Sequence, residues 1–164
     1  CRCGNFGLPG QECSRAPKCA EEYRARISGP LLDRIDIQIE VPAVSPWDLA
    51  DVRPGESSDE IRKRVIAARE IQKKRFAAFG CPSLLTNSQL KGELLEQAAA
   101  LDNEAKALLL SYADRTAMSA RAYHRTLRLA RTIADLQNEN KLLRIHIAEA
   151  LSLRWKTPDY KSRR

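Results

Sequence analysis

One short segment with the alternation of a β-strand precedes a long region that carries only helical patterns. Residues Ile35 to Val41 alternate strictly between apolar and polar and are rich in β-branched side chains, which is typical of a half-buried strand. From Ser57 onward, apolar residues recur at helical spacing behind capping residues. Because a single strand cannot form a sheet, the sequence predicts a mainly α fold: a bundle of four or five helices preceded by an orphan strand.

The missing strand partners indicate that the chain is a fragment of a longer protein, and a start at Cys1 rather than Met agrees with this expectation. No apolar run approaches the roughly 20 residues that span a bilayer, and the N-terminus has no apolar signal-peptide region. We therefore expect a cytoplasmic protein with no membrane contact. The 28 basic and 21 acidic residues give a net charge of +7, which favours contact with phosphates or forms an ordinary basic surface.

Several kinds of catalytic site have no support in the sequence. The chain has no G-x-x-x-x-G-K-[ST] phosphate-binding loop and no acidic pair at the end of an apolar strand that could hold magnesium. Its two histidines, His124 and His146, stand in no arrangement with serine or cysteine that is typical of a hydrolase. This chain by itself is therefore not expected to hydrolyse ATP.

Arg121 stands in the first turn of a predicted helix that begins after Ser119. A cation there opposes the helix dipole, at a cost of roughly 0.3–1 kcal/mol when exposed, and a bound phosphate would remove the conflict. The same helix carries Arg125, Arg128 and Arg131, which we interpret as a solvated basic face. That interpretation is also the alternative for Arg121.

Four of the five cysteines lie in the first 19 residues, close to three glycines. Cys1, Cys3, Cys13 and Cys19 could bind a tetrahedral zinc ion, which would order a segment that has few apolar residues. Their spacing is not that of two C-x2-C pairs, so reduced cysteines in a loop are the alternative. Cys81 stands apart and is interpreted as a structural thiol.

The segment from Arg26 to Asp36 reads Arg-Ile-Ser-Gly-Pro-Leu-Leu-Asp-Arg-Ile-Asp and resembles the magnesium-chelatase-like AAA+ ATPases, in the branch often called ComM or YifB. The resemblance extends to about Arg154 and includes three further segments: Pro54-Gly-Glu-Ser-Ser58, Ala68-Arg-Glu70 and His146-x-Ala-Glu-Ala-Leu151. Many members of this family begin the cysteine segment with Cys-Pro-Cys-Gly, whereas this chain has Arg2 in place of the proline.

This resemblance implies roles for two arginines. Arg34 matches the arginine finger, which reaches a nucleotide held by the neighbouring subunit, and Arg121 matches the sensor-2 arginine that contacts ATP phosphate. A planar guanidinium suits the spread negative charge of phosphoryl transfer. The alternative for Arg34, taken from the residues alone, is a local ion pair with Asp33 or Asp36.

The resemblance also implies a division of the chain. Residues 1–42 would end the α/β ATPase core, 43–56 would be a linker, 57–155 the helical lid with sensor 2, and 156–164 a basic tail. The intact protein would be an ATP- and magnesium-dependent motor, a ring of identical subunits, with DNA as the remodelled partner. Two other classes stay open: a stand-alone basic helical module that binds nucleic acid, with a zinc knuckle, and a helical protein-interaction domain.

Overall fold

The structure, a computed structural model, describes residues 2–5, 10, 13–32, 34–39, 41, 44, 47 and 55–154. Cys1, Asp33 and the basic tail 156–164, which carry sequence predictions, lie outside the described residues. The chain divides into two units: residues 1–35 with 40–53, and residues 36–39 with 54–164. We call the second the helical unit and the first the cysteine unit.

The cysteine unit contains two short helices, α1 (Lys18–Arg24) and α2 (Gly29–Leu32). Among its described residues, the buried side chains are those of Cys19 and Ala20, at 8% and 3% exposure. Tyr23, Ile27 and Leu31 are all exposed. The described part of this unit therefore has no hydrophobic core of ordinary size.

The helical unit confirms the prediction of a mainly α fold. Its helices are α3 (Ser58–Ala78), α4 (Gly92–Ala98), α5 (Asn103–Thr116), α6 (Ala120–Leu136) and α7 (Arg144–Ser152), with a short 3₁₀ helix at Asn87–Gln89. Side-chain caps define where three of these helices begin: Ser57 accepts from Glu60 N–H, Asp102 from Ala105 N–H, and Ser119 from Ala122 N–H.

Helix α6 is the centre of this unit, because α3, α4, the 3₁₀ helix and α7 all pack against it, while α5 packs against α7. The core consists of fully buried aliphatic and aromatic side chains from all of these elements, including Phe76, Leu90, Leu95, Leu109, Leu127, Ala130, Leu142 and Ile147. None of the helices in the described residues is long and apolar enough to cross a lipid bilayer.

The prediction of a strand at Ile35–Val41 is wrong for the described residues of this segment, none of which lies in a strand. Its apolar side chains are exposed, from 41% for Ile35 to 76% for Val41. A strand is stabilised by pairing with neighbours on a sheet. The described part of the chain contains helices and no sheet with which this segment could pair.

A second difference concerns a helix that the sequence predicts behind a cap at Asn87 or Ser88, with Leu90, Leu94, Ala98 and Leu101 at helical spacing. The structure divides it at Leu90 and Lys91, which are extended, and at Gly92, where φ is +50°. The Leu90 carbonyl accepts a hydrogen bond from Arg128 Nε at 2.9 Å. Tertiary contacts and a left-handed glycine thus interrupt a pattern that was periodic in sequence.

Candidate functional site

Arg121 is the second residue of α6 and its side chain is exposed. The first turn of α6 contains no acidic residue, and the Ser119 hydroxyl accepts from Ala122 N–H at 3.1 Å. Within the part of the chain that the structure describes, Arg121 has no ion pair or side-chain hydrogen bond. Its guanidinium therefore stands at a positive helix end and is available to an anion from solvent.

Arg34 follows α2, and its backbone N–H donates to the Leu31 carbonyl at 3.0 Å. Its side chain is exposed. Of the two carboxylates considered as its partners, Asp33 lies outside the described residues. The other, Asp36, is contacted on both oxygens by Arg125: Nε lies 2.5 Å from Oδ1, and Nη2 donates to Oδ2 at 2.5 Å. Arg34 and Arg121 belong to different units.

The basic face predicted for the other arginines of α6 is wrong in the described structure. Arg125 pairs with Asp36, and Arg128 donates to a backbone carbonyl. Arg131 is 1% exposed, so it belongs to the core. The reason lies in helix geometry: Arg131 and Asp135 follow directly after Ala130 and Ala134 and share the edge of their buried stripe.

A buried polar network around Asp135 was not predicted. The Asp135 carboxylate accepts hydrogen bonds from Arg75 on α3, from Asn87 Nδ2 at 2.8 Å, and from Arg131 Nε at 3.1 Å. Arg131 also donates to the Glu139 and Asn140 carbonyls in the turn after α6. Burial lowers the pKa of Arg131, Asp135 opposes this shift, and Arg75 adds to it. The network joins α3, the 3₁₀ helix and the end of α6.

The sequence contains one signal of this network, the Arg131 and Asp135 pair at i,i+4 beside an apolar stripe. Nothing local identifies Arg75 or Asn87, since they lie 60 and 48 residues from Asp135. These residues position α6 and so orient the helix whose first turn carries Arg121.

His146 is also structural. It is fully buried, its Nδ1 accepts from Leu143 N–H at 3.0 Å, and its Nε2 lies 3.0 Å from Gln137 Oε1. Because Nδ1 accepts, Nε2 carries the proton and donates to Gln137. Burial first, and the Arg131 charge second, lower the pKa of His146. A neutral histidine thus ties the start of α7 to the end of α6.

Three of the four predicted zinc ligands come together in the cysteine unit. The sulfur atoms of Cys3, Cys13 and Cys19 all lie within 4.8 Å of one another, and Cys1 lies outside the described residues. A tetrahedral zinc ion with Zn–S bonds of about 2.3 Å places its sulfurs about 3.8 Å apart. The three thiols therefore need small adjustments to share one ion.

Hydrogen bonds within this cluster affect two of the thiols. The Asn5 backbone first, and the Cys13 thiol second, lower the pKa of Cys3. For Cys13 the Arg15 backbone lowers the pKa, but the hydrogen bond to Cys3, desolvation and the neighbouring Cys19 together raise it. Cys81 is a free, partly buried cysteine in the helical unit, and its role as a structural thiol stays a prediction.

Most of the chain matches two family models. Residues 55–154 match the family described as magnesium chelatase, subunit ChlI C-terminal, and residues 1–49 match magnesium chelatase, subunit ChlI. The competence protein ComM of Haemophilus influenzae is 36% identical over 140 residues, which is 85% of this chain and 26% of ComM.

Two further relatives are uncharacterised proteins. YifB of Escherichia coli is 37% identical over 139 residues, covering 84% of this chain and 26% of YifB. A protein of Mycobacterium bovis is 34% identical over 146 residues, covering 88% of this chain and 28% of its own length. The chain therefore spans about a quarter of the length of these relatives.

Proposed function

The chain belongs to the magnesium chelatase ChlI family, and on that ground we propose that it forms the lid and sensor portion of a longer AAA+ ATPase dependent on ATP and magnesium. Residues 57–155 would be the helical lid, and residues 1–42 the end of the α/β core. The phosphate-binding loop and the magnesium ligands would come from the rest of that protein, since this chain contains no G-x-x-x-x-G-K-[ST] sequence.

The observation that carries this proposal is the environment of Arg121. It is an exposed cation in the first turn of α6, with no acidic residue in that turn and no partner among the described residues. Such a position costs stability unless an anion is present. We therefore assign Arg121 to the phosphates of ATP, where its guanidinium would donate charge-assisted hydrogen bonds.

Arg34 is proposed as the arginine finger that acts on a nucleotide held by the next subunit of a ring. Its exposed side chain, and the engagement of Asp36 by Arg125, support a role outside a local pair with Asp36. A rigid guanidinium would stabilise negative charge on the transferred phosphoryl group without accepting or releasing a proton.

We propose that the intact protein is cytoplasmic and acts on DNA. ComM is named a competence protein, and the net charge of +7 suits contact with nucleic-acid phosphates. Salt-dependent DNA binding by this chain alone would instead favour the stand-alone nucleic-acid module.

Replacing Arg121 by Ala in the full-length ATPase should weaken ATP binding about 10- to 100-fold, because a hydrogen bond between charged groups contributes roughly 1.5–3 kcal/mol. The stability of this chain should change by no more than about 0.5 kcal/mol, since Arg121 is exposed. Isothermal titration with a non-hydrolysable ATP analogue measures the first quantity, and urea unfolding the second.

The matched control is Arg144→Ala, because Arg144 is also an exposed arginine in the first turn of a helix, α7. This variant should bind nucleotide like the wild type, because the family resemblance assigns a nucleotide contact to Arg121 and none to Arg144. Equal losses in both variants, or none in Arg121→Ala, would remove the sensor role.

We also propose that zinc is the resident metal of the cysteine unit, bound by Cys3, Cys13 and Cys19 with Cys1 as the fourth ligand. The clustering of three sulfurs supports this proposal, as does the small number of other buried side chains among the described residues of the unit. Zinc would stabilise this segment through folding coupled to metal binding. Helix α1 begins at this cluster, because Cys19 is its second residue.

Chain purified under reducing conditions without chelator should contain about one zinc per molecule. Cys13→Ser with Cys19→Ser should abolish zinc binding, whereas Cys81→Ser should retain it because Cys81 lies in the helical unit. Elemental analysis gives the stoichiometry, and cobalt substitution adds a sulfur-to-metal charge-transfer band. If the wild type is metal-free and also fails to take up cobalt, these cysteines are reduced thiols in a loop and not a zinc site.

A further inference from the structure

The Asp36–Arg125 ion pair joins two parts of the sequence that are 89 residues apart. Nη2 of Arg125 donates a hydrogen bond to Asp36 Oδ2 at 2.5 Å, and Nε lies 2.5 Å from Oδ1 as a charge contact without hydrogen-bond geometry. The Arg125 side chain is 22% exposed and the Asp36 side chain 50%. A charge-assisted hydrogen bond of this kind is stronger than one between neutral groups.

This pair fastens residues 36–39, which we call the strap, to the helical unit. A second contact lies two residues further on, where Gln38 N–H donates to the Leu153 carbonyl at 2.7 Å. The apolar side chains of the strap contribute little burial, since Ile37 is 51% exposed and Ile39 68%. Polar contacts therefore account for the attachment more than the hydrophobic effect does.

Asp36 and Arg125 each lie close in sequence to one of the two arginines to which we assign nucleotide contacts. Asp36 follows Arg34 by two residues, so the chain between their Cα atoms can span at most about 7 Å. Arg125 follows Arg121 by four residues, which is about one turn on the same side of α6. Along the chain, each partner of the pair is thus a close sequence neighbour of one of the two arginines to which we assign nucleotide contacts.

We propose that Asp36 and Arg125 are positioning residues that couple the arginine finger to the sensor helix. The proposal rests on the nucleotide roles of Arg34 and Arg121. A partly exposed ion pair is weak enough to open and close. When it is closed, a movement of α6 that follows nucleotide binding at Arg121 is transmitted to the backbone that carries Arg34.

Hydrogen exchange on this chain tests the strap itself, independently of any ATPase activity. Asp36→Asn and Arg125→Gln should each speed exchange of the Gln38 amide about five-fold, because the ion pair no longer holds the strap. The control is Arg62→Gln, which removes an exposed pair with Asp59 on α3 and should leave Gln38 unchanged. Unchanged exchange in both strap variants would overturn the proposal.

Nucleotide hydrolysis by the full-length protein tests the coupling. Asp36→Asn and Arg125→Gln should each lower kcat about 10- to 100-fold with little change in KM, since neither residue is assigned a nucleotide contact. The reversed pair, Asp36→Arg with Arg125→Asp, should recover part of kcat, which a general loss of stability would not allow.

The proposed coupling and the proposed nucleotide roles of Arg34 and Arg121 can be disproved separately. If Arg34→Ala and Arg121→Ala abolish hydrolysis but the strap variants keep full kcat, the coupling is overturned and the proposed function stands. If Arg34→Ala retains hydrolysis, the nucleotide role of that residue is overturned, and the coupling is overturned with it even where Gln38 exchange responds.

Discussion

Replacing Asp135 by Ala is expected to lower the free energy of unfolding of the helical unit by about 3–5 kcal/mol. The variant leaves Arg75 and Arg131 close to each other without the carboxylate that both contact. Arg131 is 1% exposed, so water cannot replace the lost partner. Since a domain of this size has a total stability of about 5–15 kcal/mol, the variant should lose between about a fifth and all of that stability.

Urea unfolding followed by circular dichroism measures this loss. The control is Asp114→Ala, which removes an exposed carboxylate near the end of α5 and should change stability by no more than about 0.5 kcal/mol. A loss below about 1 kcal/mol for Asp135→Ala would show that water solvates the two arginines in solution and that the network is not a dry one.

A second variant separates charge from shape at the same position. Asp135→Asn keeps an acceptor oxygen for one guanidinium but removes the negative charge, so it should lie between the wild type and Asp135→Ala. Two adjacent guanidiniums repel each other in a low-dielectric surrounding. The Asn variant should remain less stable than the wild type at high salt as well, because salt screens buried charges only weakly.

The helices were predictable because their signals are local. Ser57, Asp102 and Ser119 each cap a helix by accepting from an N–H three residues later, and a period of 3.6 residues continues behind each cap. Such signals need no knowledge of the rest of the fold. The prediction failed where a distant contact decides the structure, as at Leu90, whose carbonyl accepts from Arg128.

The charged residues of α6 also divide into those whose exposure local sequence determines and those whose burial depends on distant contacts. Arg121 could be predicted to be exposed, because its helix position and its sequence neighbours determine that result. The burial of Arg131 depends on α3 and the 3₁₀ helix, which supply Arg75 and Asn87 to the same carboxylate. A stripe of arginines in sequence therefore contained one exposed residue, two that contact other segments and one core residue.

The most informative wrong prediction is the strand that the sequence predicted over the strap, residues 36–39. Its alternation is real in the sequence, but in the described structure its apolar side chains are exposed and its polar contacts are satisfied by α6 and by Leu153. Alternation reports that one face of a segment suits a sheet. It does not report where the partner strands lie, and within the described residues this segment pairs with none.

The largest expected effect on activity concerns Arg34. In the full-length ATPase, Arg34→Ala should lower kcat for ATP hydrolysis about 10³- to 10⁵-fold, the range that arginine fingers supply. Nucleotide binding should be nearly unchanged, because the finger is proposed to act on the site of the neighbouring subunit. The control is Arg26→Ala, which removes another exposed arginine of the cysteine unit and should keep kcat.

Mixed rings distinguish action in trans from a structural role. An Arg34→Ala subunit keeps its own phosphate-binding loop, and a subunit with a disabled loop keeps its arginine. Each preparation alone should be inactive, but in a mixed ring some interfaces combine a working loop with a working finger, so part of the hydrolysis should return. If ring assembly is shown to be intact and no activity returns, Arg34 does not act across the interface. Its exposed guanidinium would then have to serve its own subunit, and the loss of kcat in the single variant would reflect a local change in the segment that follows α2.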